Sequence, residues 1–151
     1  MTTPKVSPFQ RNRFIRDGIS RAIYETMRKD PSVFLFGEGA WVKMKYDAPQ
    51  ILEEFSDRIV TLPISEDANS NFAVGASLLG IKPIVDVITS DFLYRTFDAI
   101  ANTAAKLNFV APQGEPPKTI VIRSEFLLGG PTTGQRPEAL FTHIPGISVV
   151  V

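Results

Sequence analysis

Residues 58–88 decide the fold: Arg58-Ile59-Val60-Thr61-Leu62, a helical stretch from Asp67 to Leu79, then Lys82-Pro83-Ile84-Val85-Asp86-Val87-Ile88. The outer segments are short apolar runs of strand length. Between them Phe72, Ala73, Ala76 and Leu79 recur at helical spacing. Gly80 is placed to end that helix. A strand, a helix and a second strand in this order predict parallel pairing.

The alternation continues on both sides. Upstream, Phe14, Ile15, Ile19, Ala22, Ile23 and Met27 share one helical face, with Arg13, Arg16, Asp17, Arg21, Glu25 and Arg28 largely opposite. Pro31 closes that helix. Ser32-Val33-Phe34-Leu35-Phe36, ending at Gly37, reads as a strand buried on both faces. Pro49 to Phe55 fits a short helix. Downstream, Phe92 to about Phe109 places Leu93, Phe97, Ile100, Ala101, Ala104 and Leu107 on one helical face. A proline and glycine loop, Ala111 to Pro117, precedes a strand at Thr119-Ile120-Val121-Ile122-Arg123. Ser124 to Pro137 reads as a long irregular loop, Glu138 to His143 as a helical turn, and Ile147 to Val151 as a final strand. The expected fold is α/β, a mostly parallel sheet with helices on both faces. Residues 1–12 read as a flexible N-terminal lead and 13–151 as one domain, stopping in a strand without a C-terminal domain after it.

The 151 residues suffice for one domain with a real core. Sixteen basic residues balance sixteen acidic ones, so no net field draws the chain to nucleic acid or to a membrane surface. The absence of cysteine excludes disulfides, a thiolate nucleophile and a zinc ribbon. A single histidine, His143, excludes most multi-histidine metal sites. No segment approaches the roughly 20 apolar residues of a membrane span, and the N-terminus lacks a signal-peptide run. A cytoplasmic location is the expectation.

The segment Leu62-Pro63-Ile64-Ser65-Glu66-Asp67 lies where a strand ends and a helix begins, the side of an open α/β sheet where ligands bind. It has two readings. Ser65 can cap the helix while Glu66 and Asp67 suit its dipole; alternatively, a carboxyl is presented to a ligand. The neighbouring segments bear on the choice: Phe34-Leu35-Phe36-Gly37-Glu38 before it, then Ala73-Val74-Gly75-Ala76, Leu79-Gly80-Ile81-Lys82-Pro83-Ile84, Asp91-Phe92, Asp98-Ala99-Ile100, and Glu138 to Gly146. In this order and spacing the set resembles the pyrimidine-binding, transketolase-like central domain, nearest the β subunit of the first component of 2-oxo acid dehydrogenase complexes.

That resemblance implies a thiamine-diphosphate enzyme, either a 2-oxo acid dehydrogenase or decarboxylase component or a transketolase-like one. Glu66 matches the family's catalytic glutamate, whose carboxyl favours the imino tautomer that lets the cofactor's own amino group take a proton. Phe92 matches the aromatic that stacks on the aminopyrimidine, although a core phenylalanine at the start of a helix is the plainer alternative. Ile64 would pack near the cofactor ring, and Glu38 matches an acid near the active-site interface. The family binds diphosphate and magnesium through a Gly-Asp-Gly motif that this chain lacks, so an α-like partner would supply both, in a heterotetramer; a homodimer is the other assembly expected. Dehydrogenase members carry His-Ser-Gln where this chain reads Thr133-Gly134-Gln135, which questions acyl transfer. His143 matches the His-x-Pro-Gly turn, a structural position. Two alternatives stand beside this one: a stand-alone, non-catalytic dimerisation or binding module derived from the family, and a generic doubly wound domain binding another small molecule.

Overall fold

A computed structural model describes residues 8–40, 44, 47–126 and 132–151, with side chains from Arg16 onward. Helix α1 spans Pro8–Lys29, starting six residues before the expected Phe14, and ends on Arg28 and Lys29, cations that suit a helix C-terminus. Then come β1 (Val33–Gly37), α2 (Pro49–Phe55), a single 3₁₀ turn and β2 (Ile59–Thr61). After these follow α3 (Glu66–Leu78), β3 (Lys82–Thr89), β4 (Val121–Glu125) and α5 (Glu138–Phe141). All pairings are parallel, in the order β2-β1-β3-β4. The α/β expectation is met.

Alternate side chains of the central strands enter two different cores, which is why those strands read as unbroken apolar runs. Val33, Leu35 and Ile84 meet Ile23, Met27, Ile51 and Phe55 on the side of α1 and α2. Phe36, Val85 and Val87 meet Ala73 of α3 on the other side. Each fully buried aliphatic side chain of this kind stabilises by about 1.5–3 kcal/mol. Among the described residues no helix is long and apolar enough to cross a membrane.

Three expectations are corrected. The buried face of α3 is Asn69, Ser70, Ala73, Val74 and Ser77, while Phe72 is 51% and Leu79 86% exposed. Close packing on a sheet selects small side chains, and a reading by hydrophobicity missed this. Phe72 touches the core only edge-on, its ring 5.2 Å from that of Phe36. The expected helix from Phe92 to Phe109 is instead a 3₁₀ segment (Ser90–Thr96), a π segment (Ala99–Ala104) and α4 (Ala105–Val110). Thr96 Oγ1 donates to the Leu93 carbonyl at 2.8 Å, a side-chain bond that competes with the α ladder. Finally, Ile147 to Val151 forms no strand. Val150 is 95% and Val151 84% exposed, so pairing there would bury little.

Two glycines are required by close approach. At Gly37 a Cβ would stand 2.5 Å from the Asp86 carbonyl oxygen, so the end of β1 comes close to β3 at Asp86. Gly146 has φ +92°, and a Cβ there would collide with the Ala105 carbonyl.

Candidate functional site

Because the strands are parallel, their C-terminal ends emerge along one edge. The chain leaves β1 for β2 and returns to the opposite side of β1 at β3, which makes the β1/β3 junction the topological switch point, the usual position of a ligand crevice. Three described segments leave the sheet along this edge: Glu38 after β1, Leu62–Ser65 after β2 and Ser90–Phe92 after β3.

Glu66 is the first residue of α3, half-buried and with no ion pair among the described residues. Ser65 occupies the cap position, yet its side chain makes no cap hydrogen bond. The turn is held instead by Asn69, which is buried and donates from Nδ2 to the Pro63 carbonyl at 3.0 Å. The Leu62 amide donates to the Gly37 carbonyl at 3.0 Å, tying the exit of β2 to the end of β1. Ile64, between these anchors, is 82% exposed.

Glu38 is 8% exposed, and its Oε2 has no hydrogen-bond partner among the described residues. Burial pushes its carboxyl above the ordinary carboxylate range, and the charges of Glu66 and Asp86 push the same way. Asp86 lies under Gly37 and pairs with Arg123 Nη2 at 2.9 Å. The structure thus gathers Glu38 and Glu66 with Asp86, which the sequence reading did not single out. A charged residue within each apolar strand run, Asp86 and Arg123, was the available signal. Because Glu38 binds its proton more tightly folded than unfolded, its contribution to stability is present at low pH and lost as pH rises through its raised pKa. Glu38→Gln is therefore expected to raise the urea or thermal midpoint at pH 8, by about 3 °C in Tm. The gain should vanish below pH 4; equal gains at both pH values would show that the carboxyl is not the cause.

Phe92 is 39% exposed and so is not a core side chain. Beside it, buried Asp91 accepts hydrogen bonds from the Gly134 and Gln135 amides, which brings the Thr133-Gly134-Gln135 segment to the same edge. His143 is exposed, its Nδ1 3.4 Å from the Ala139 carbonyl. Two clefts lie elsewhere, one along Arg21, Tyr24 and Arg28 of α1, the other around Asp30, Lys82 and Thr119 at the opposite end of the sheet. No group of three potential metal ligands occurs among the described residues.

A parallel sheet whose switch point gathers carboxyls and an accessible aromatic ring defines a small-molecule-binding α/β domain. This chain belongs to the family described as the transketolase pyrimidine-binding domain, whose profile matches residues 14–151. The β subunit of mitochondrial 2-oxoisovalerate dehydrogenase from Chaetomium thermophilum is 32% identical over 99% of this chain and 32% of its own length. The β subunit of acetoin:2,6-dichlorophenolindophenol oxidoreductase from Cupriavidus necator is 34% identical over 90% of this chain and 44% of its own. The pyruvate dehydrogenase E1 β subunit of Rickettsia felis is 33% identical over 90% and 43%. The chain thus spans less than half the length of these relatives. A solved split-gene transketolase, described as an inactive β4 tetramer, shares the fold with a TM-score of 0.55 and 18% identity, over 71% of this chain and 32% of its own. The resemblance to β subunits read from the sequence is borne out.

Proposed function

We propose that this chain is the pyrimidine-binding half of a thiamine-diphosphate-dependent enzyme acting on 2-oxo acids or ketoses. The observation that carries this reading is Glu66, a half-buried carboxyl without an ion pair among the described residues, whose charge acts on Glu38 together with that of Asp86. When bound, the cofactor supplies a thiazolium carbon that attacks a carbonyl once deprotonated. The residues present fit its aminopyrimidine. Glu66 would hold a proton against a ring nitrogen, and the accessible Phe92 ring would offer a stacking face. Ile64 gives an apolar edge that the chain itself leaves uncovered. Glu38, drawn toward its protonated form, keeps a second exchangeable proton within electrostatic reach of Glu66.

No cluster of metal ligands occurs among the described residues, and the chain lacks the Gly-Asp-Gly motif. An α-like subunit is the reading's source for the diphosphate site and magnesium, in a heterotetramer, with a cytoplasmic location as part of it. The test is calorimetric titration of thiamine diphosphate and magnesium into the chain assembled with an α-like subunit. Saturable binding by the assembly, absent from either chain alone, is the expected result; an assembly that binds nothing overturns the proposal. Thr133 at the family's histidine position favours a second reading, a non-catalytic dimerisation module. That reading predicts a stable homodimer on size exclusion, unchanged by coexpression with the α-like chain.

A further inference from the structure

We propose that Asp91 is a positioning residue that fixes Thr133-Gly134-Gln135 against the end of β3 and so sets the wall of the site beside Phe92; the kinetic part of this inference rests on the function proposed above. The geometry is specific. Asp91 Oδ2 accepts from Thr89 Oγ1 at 2.9 Å and from the Gly134 amide at 3.0 Å. Asp91 Oδ1 accepts from the Gln135 amide at 3.0 Å. Ser90 Oγ closes the grip by donating to the Gln135 carbonyl at 2.8 Å.

Two consecutive residues, Ser90 and Asp91, thus hold two consecutive residues more than forty positions away in the chain, while Thr89 at the end of β3 steadies the Asp91 carboxylate. Both carboxylate oxygens are used, and the aspartate is buried. The bonds are charge-assisted, the stronger class, and the Gly134 amide leads in holding the Asp91 carboxyl below its ordinary range. Beyond the grip, Arg136 lies over the Phe126 ring at 4.8 Å and Pro137 is fully buried, so the returning stem is also fixed. Asp91 directly precedes Phe92. The turn that presents the ring therefore also locates the 133–135 backbone, and a shift of one moves the other. With a threonine and a glycine at 133–134, this wall has few anchors of its own, and its position depends on the aspartate.

The experiment uses Asp91→Ala and Asp91→Asn in the chain assembled with its α-like subunit. Hydrogen exchange at the Gly134 and Gln135 amides should quicken about tenfold or more in the alanine variant, the scale of one lost charge-assisted bond. Amides of β1 and β3 should be unchanged. Asp91→Asn, keeping one carbonyl oxygen, should fall between wild type and alanine, and it decides the matter by itself if the alanine chain does not fold. KM for the 2-oxo acid should rise about tenfold, while kcat and the cofactor Kd stay within about threefold. Unaltered exchange at 134–135, or a fall in kcat with KM unmoved, overturns the proposal. An assembly inert toward cofactor and substrate defeats the functional reading instead, and the exchange measurement still decides the role of Asp91.

Discussion

Glu66→Gln is expected to lower turnover of the assembled enzyme by about 10²–10⁴-fold, the range for removing a positioned proton-transfer group. The amide matches the carboxyl in shape but cannot hold or release the proton that sets the tautomer of the ring. On the proposed function, cofactor affinity should change much less, since the stacking proposed for Phe92 and the anchoring proposed for the partner would remain. The loss should therefore appear in kcat and in the rate of deuterium exchange at the thiazolium carbon, both read on the same preparation. Turnover within a few-fold of wild type would remove Glu66 from the chemistry. Glu38→Gln separates relay from environment, because it leaves Glu66 ionisable but takes one coupled carboxyl from its surroundings.

Gly146→Ala is expected to be the most damaging small substitution in the fold, destabilising the chain by about 3–5 kcal/mol, a large share of a typical domain's stability. Two costs combine. An alanine at φ +92° enters a region that costs L-residues about 1–2 kcal/mol. Its methyl would also collide with the Ala105 carbonyl, so the 143–146 turn must leave its seat on α4. Gly114 is the control: its φ of +90° is similar, but no atom lies within 4 Å of its Cβ position. Gly114→Ala should cost only the backbone part, about 1–2 kcal/mol. Equal urea midpoints for the two variants would show that the contact with Ala105 contributes nothing.

The parallel sheet was legible because β1 and β3 are buried on both faces, and such strands have few ways to be written. The position of Glu66 at the sheet's edge was legible for a related reason, since strand-to-helix junctions of a parallel sheet lie on one edge. The role proposed for it came from the family resemblance. What escaped were polar contacts between distant segments. Asp86 and Arg123 sit in apolar runs whose period says nothing of pairing, and their ion pair exists only because β3 and β4 align in register. Asn69 looked like an ordinary helix residue, yet it holds the turn that Ser65 was expected to cap. The failed strand at Ile147–Val151 shows the limit from the other side. Its valines have the right propensity, but propensity forms a strand only where a covering layer makes burial worthwhile.

The contact between Gly37 and Asp86 has a consequence for recognition. Gly37 and Asp86 stand in register on paired parallel strands, so the acids at and just beyond these positions are placed by the sheet itself. A guest that brings a hydrogen to share, or spreads positive charge, meets a receptor already set in shape. Little of its attraction is then spent on rearranging the host.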